Sequence, residues 1–92
     1  MTTPHRYCRV LVHSPFGWSQ YFDLEGSASI GDLKTCIGQA WDILPRRQRL
    51  TFLGTVLDDL ARLVEIDIKS GDIIFLDLIP VRRIRGKQTL AP

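Results

Sequence analysis

The stretch QRLTFLGTVLDD, Gln48–Asp59, decides how this chain folds. Arg49–Gly54 (RLTFLG) reads as a strand that ends at a glycine turn, and the VLDD that follows is short. A strand of this kind cannot hold a fold alone. Its partners must come from the residues on either side.

Downstream, LARLVEIDI (Leu60–Ile68) is too broken for a long helix. GDIIFLDLI (Gly71–Ile79) is a final strand, with Ile74, Leu76 and Leu78 pointing one way. Upstream, Pro45 cannot sit inside a helix, so the chain must leave one by about Leu44. That helix opens at Ser29, whose hydroxyl can cap a free amide. Asp32 complements the positive helix end, and Ile30, Leu33, Ile37 and Trp41 follow at helical spacing. Before it, RVLV (Arg9–Val12) and SQYFDLE (Ser19–Glu25) alternate around the SPFG turn, with Val10, Val12, Phe22 and Leu24 on one side, which predicts a hairpin. The order is therefore strand, strand, helix, short strands, strand: an α+β chain with one helix against a sheet.

With 92 residues, 45% apolar and 24% charged, one soluble-type core is expected. No apolar run reaches the roughly 18 residues of a membrane span, and the start, MTTPHRYCRV, lacks the apolar segment of a secretory signal. Cys8 and Cys36 are too few for a disulfide framework and have no zinc-ligand spacing, so a reducing cytoplasm or nucleus is expected, without metal or cofactor. The net charge of +2 is uneven. Eight Lys/Arg against ten Asp/Glu precede residue 82, and Arg82, Arg83, Arg85 and Lys87 then follow with no acid. The body is mildly acidic and the tail basic, which is not the basic face of a duplex-DNA binder.

The Gln48–Asp59 stretch resembles ubiquitin and its relatives, whose third strand carries Gln-Arg-Leu-x-Phe-x-Gly, then Leu and two acids. Gln48, Arg49, Leu50, Phe52, Gly54, Leu57, Asp58 and Asp59 occupy those places. The resemblance runs without gaps from Val10 to Leu78 and implies a β-grasp fold, a mixed sheet with one helix packed across it. It implies an apolar core that includes Ile43, Leu63 and Ile68, and an ion pair between Lys34 and Asp59. The expected organisation is an N-terminal extension 1–8, a ubiquitin-like domain 9–79 and a basic tail 80–92. Met1 is consistent with a true start.

Ubiquitin meets most partners through a Leu-Ile-His-Val surface, which here becomes Pro15, Thr51, Phe75 and Asp77. Asp77 brings a charge to that patch, with Arg49 expected across from it. Ile73, Phe75 and Ile79 should point away from the helix, joined by Leu11 and Tyr21 and with His13 near Phe75. A contiguous outward apolar patch implies a protein partner; scattered surface hydrophobes, or cover by a terminal segment, are the alternative. The expected site is Leu11, Tyr21, Arg49, Thr51, Ile73, Phe75 and Asp77 on an otherwise monomeric protein. The lysines ubiquitin uses most for chain building fall on Thr55 and Ser70. Trp18 and Trp41 replace a salt bridge between hairpin and helix end, and the two indoles are expected to pack together as a satellite cluster.

The tail VRRIRGKQTLAP (Val81–Pro92) allows two other functions. Arg83–Lys87 is similar to the ubiquitin tail with its second glycine replaced by Lys87, so a covalent modifier would need processing after Gly86 and conjugation through it. Arg82, Arg83, Arg85 and Lys87 could instead contact RNA phosphates, although four charges and no interleaved aromatic make a short, salt-sensitive arm. Catalysis is not expected. His5 and His13 have no nucleophile or acid arranged with them. Cys8 should face inward and Cys36 should lie on the helix surface, neither beside a group that would lower its pKa.

Overall fold

The computed structural model describes residues 7–80. Strands β1 (Tyr7–His13) and β2 (Ser19–Glu25) form an antiparallel hairpin in which Cys8 lies across from Leu24 and Val10 from Phe22. Alternation puts Cys8, Val10, Val12, Phe22 and Leu24 on the buried side. The turn is organised by buried Ser14, whose Oγ accepts the amides of Phe16 at 3.1 Å and Trp18 at 3.3 Å. The ladder begins at Tyr7, paired with Glu25, so the expected extension 1–8 yields its last two residues to β1. Cys8 explains why: its side chain is already in the core.

Helix α1 (Ile30–Trp41) starts in a reciprocal capping box. Ser29 Oγ accepts the Asp32 amide at 3.1 Å, and the Asp32 carboxylate accepts the Ser29 amide at 3.0 Å. Ile30, Leu33 and Ile37 have no solvent exposure and form the helical side of the core, each contributing about 1.5–3 kcal/mol by burial. The helix ends ahead of Pro45, with Asp42 in the left-handed region (φ 59°) donating its amide to Gly38 at 2.8 Å. A 3-10 turn, Pro45–Arg47, then leads into β3 (Gln48–Phe52).

Gln48 fastens this corner. It is wholly buried, and its Nε2 donates to the carbonyls of Lys34 at 2.9 Å and Ile43 at 3.0 Å. Lys34 in turn meets Asp59 at 2.6 Å, the helix-to-loop ion pair that the family resemblance implies. Strand β3 stops at Phe52, two residues short of the glycine expected to end it, because Leu53 and Gly54 (φ 52° and 81°) form the two-residue turn to β4 (Thr55–Val56). Between Leu60 and Ile68 the chain makes successive turns and no helix, as the broken pattern predicts.

The last strand, β5 (Ile73–Leu78), is inserted at the centre, giving the sheet order β2-β1-β5-β3-β4. It runs parallel to β1 and antiparallel to β3, so the sheet is mixed and α1 lies across one face. Leu50, Ile74 and Leu76 close the core against the helix, while Ile43 and Leu78 are half-buried at its margin.

Gly38 sits where an added Cβ would come within 2.8 Å of the Ile43 backbone carbonyl. Gly38→Ala therefore loses stability, by about 1 kcal/mol net, although alanine is favoured over glycine by a similar amount in an unhindered helix. Urea unfolding at constant pH measures the difference.

Candidate protein-interaction surface

The face of the sheet opposite α1 is assembled by register. One row runs across all five strands as Ser19, His13, Phe75, Thr51 and Val56. Beside it lie Tyr21, Leu11 and Ile73, and on its other flank Asp77 lies across from Arg49. All seven residues expected on this face are on it. Tyr21, Ile73, Phe75, Arg49 and Asp77 are exposed, and Leu11 and Thr51 are half-buried by their neighbours.

Phe75 stands at the middle, 50% exposed, with the His13 ring against it edge-on at 5.6 Å between centroids. His13 Nδ1 is in turn 2.7 Å from Ser19 Oγ, which fixes the imidazole plane. At the β2 end, Arg9 makes two hydrogen bonds to Asp23, 2.8 and 3.1 Å, and its guanidinium lies 5.5 Å from the Tyr21 ring centre. The Arg9 hydrogen bonds hold the Asp23 carboxyl below its usual pKa, and the same contact raises Arg9. These charges are satisfied within the chain.

Arg49 and Asp77 differ. They are register partners, yet the ion pairs among the described residues are Arg9–Asp23, Lys34–Asp59 and Lys69–Asp67. The expected Arg49–Asp77 pairing is thus a juxtaposition without a bridge, and both charges face solvent. Two exposed apolar residues of the same region had no signal in strand alternation. Val56 reaches the face only because β4 pairs it with Thr51. Leu53 reaches the rim only through the left-handed turn. The Leu-Gly pair before a second extended piece could have suggested that turn.

Trp18 and Trp41 pack edge-to-face at 6.1 Å, as expected from their positions, within a wider cluster. Phe16 stacks on Trp18 at 5.0 Å, Phe22 meets Trp41 at 5.7 Å, and Trp41 Nε1 donates to Gln20 Oε1 at 2.9 Å. This ties the hairpin tip to the end of α1.

Cys36, expected on the helix surface, is half-buried and packed against the core, bordering a depression that it shares with Leu24 and Ala28. Burial pushes the Cys8 thiol pKa up, partly opposed by a hydrogen bond with Ser70 and reinforced by Asp72. Among the described residues no three His, Cys, Asp or Glu side chains gather as metal ligands, and no helix is long and apolar enough to cross a membrane. His5, the possible conjugation site Gly86, and the possible nucleic-acid contacts Arg82, Arg83, Arg85 and Lys87 lie outside the described residues.

A model of the ubiquitin family matches residues 17–79, more than half of the chain. No curated protein matches it.

The two thiols should separate cleanly in a labelling experiment. With iodoacetamide at neutral pH, Cys36 reacts first, and Cys8 reacts only as the chain unfolds, because it is 6% exposed and its thiolate is disfavoured. Peptide mass mapping over time, with and without denaturant, reads the order.

Proposed function

The chain belongs to the ubiquitin family, and from that premise we propose that it is a non-catalytic protein-interaction domain working through its outer sheet face in the cytoplasm or nucleus. The observation that carries this reading is the contiguous apolar strip of Phe75, Ile73, Leu11 and Tyr21. Three adjacent strands hold it in register, and no element of residues 7–80 covers it. An apolar strip on a rigid sheet needs little ordering on association, so less of the free energy of its burial is spent on fixing side chains and loops. The aromatic at the centre, where a partner would exclude water most completely, is worth most.

Specificity follows from the two charges beside the strip. A partner that buried Arg49 or Asp77 without an opposite charge would lose binding energy, so these residues restrict the surfaces that fit. Aspartate at a position of the family's usual apolar patch also works against helices that present only apolar side chains there. Covalent attachment through Gly86 is the competing use of this fold, and the same experiment can recognise it.

A photo-crosslinking amino acid at position 75 should give discrete adducts in the protein's own cells. The same group at Gln39, on the exposed side of α1, should not. Phe75→Ala weakens recovery of those adducts' partner by about tenfold or more, and changes unfolding stability by no more than about 0.5 kcal/mol. Equal adducts from both positions, or unfolding of Phe75→Ala, would remove the reading. An isopeptide ending at Gly86 would replace it with the modifier.

A further inference from the structure

We infer that the outer face is built to meet a second copy of itself, an inference that rests on the interaction reading above and names its partner. Two-fold contacts require a patch whose two halves complement each other. Here the dividing line is the boundary between β5 and β3. Asp77 stands on one side and Arg49 directly across on the other, and neither has an ion-pair partner among the described residues.

A two-fold axis laid along that boundary, in the plane of contact, brings β5 of one copy over β3 of the other. Asp77 then faces Arg49 of the second copy, and the pair occurs twice. The same operation sets Phe75 on Thr51 and His13 on Val56, since all four share one row. Leu53, in the turn just past the end of β3, borders the same surface depression as Ile73, so the operation also brings these two apolar groups to one end of the contact. Charges meet opposite charges, and apolar groups meet apolar or small ones. Sheets packed face to face at about 10 Å interdigitate in this way.

Two otherwise unexplained residues gain a purpose. Leu53 is 85% exposed and held at φ 52°, in a turn position that glycine, asparagine or aspartate fills without strain. Val56 is 59% exposed on a two-residue strand. Neither stabilises its own chain by burial, and both are covered by the second copy. Tyr21 and the Arg9–Asp23 pair, whose charges are already satisfied, fall at the rim. The sequence alone suggests a monomer; the register argues for a self-complementary pair.

Charge reversal tests this with the full 92-residue chain, using sedimentation equilibrium up to about 1 mM, where an interface contributes about 4 kcal/mol. The unaltered protein dimerises. Asp77→Arg places arginine against arginine, and Arg49→Asp places aspartate against aspartate, so each weakens self-association by about tenfold or more. Mixed together, the two variants form a heterodimer, because both cross-interface pairs are then opposite in sign. Circular dichroism confirms that each variant is folded. A wild-type chain that stays monomeric, or folded variants that fail to associate on mixing, overturns the two-fold contact. Adducts from position 75 to a different protein would then leave the wider interaction reading standing, and their absence would remove both.

Discussion

Everything on the outer face depends on where β5 enters the sheet. The strand comes last in sequence and lies between β1 and β3, so it sets the alignment of both halves. Its entry is fixed by backbone hydrogen bonds from Gly71 to the Arg9 carbonyl at 2.8 Å and from Leu11 to the Asp72 carbonyl at 3.0 Å. Gly71, at φ 93°, takes the left-handed turn that admits the strand. Side chains alternate with a period of two. A slip of one residue would send Ile74 and Leu76 to solvent and drive Phe75 and Asp77 into the core. The apolar core and the outer face are therefore specified by the same register.

The helix side holds that register against alternatives. Gln48 joins β3 to two carbonyls around the end of the helical layer, and Lys34 reaches Asp59 from a nearly buried stem. Polar anchors inside a small core add little net stability compared with apolar packing. Their effect is to make one arrangement of helix, loop and third strand better satisfied than others. With the inner face so constrained, the outer face can carry exposed aromatics, unbridged charges and a leucine in a left-handed turn.

Much of this was legible in the sequence, because its main signals are periodic. Alternation in RVLV, SQYFDLE and GDIIFLDLI identified which residues face inward, and Ser29 with Asp32 identified the helix start. The resemblance of Gln48–Asp59 to the ubiquitin family supplied the strand order, which periodicity does not encode. The outer-face residues followed from those two steps together. What escaped was set by features without a period. Tyr7 extends β1 past the inward-facing Cys8 because a hairpin ladder continues as long as a partner strand does. The glycine turn at Gly54 is legible, but its left-handed leucine and the two-residue strand after it, which place Leu53 and Val56, have no period to show them. Arg49 and Asp77 were matched by register, but register fixes backbone alignment and leaves long side chains free to point apart.

The most direct measurement is hydroxyl-radical footprinting of the aromatic side chains, comparing the protein in its native setting with the dilute isolated chain. The exposed aromatics among the described residues form two groups that compete for function: Tyr7, Tyr21 and Phe75 on the outer side of the sheet, and Phe16 with Trp18 at the hairpin tip. If the outer face is the contact surface, Phe75 loses reactivity in the native setting while Phe16 and Trp18 keep theirs. Protection of Phe16 and Trp18 with full labelling of Phe75 would contradict the account and move the contact surface to the hairpin tip.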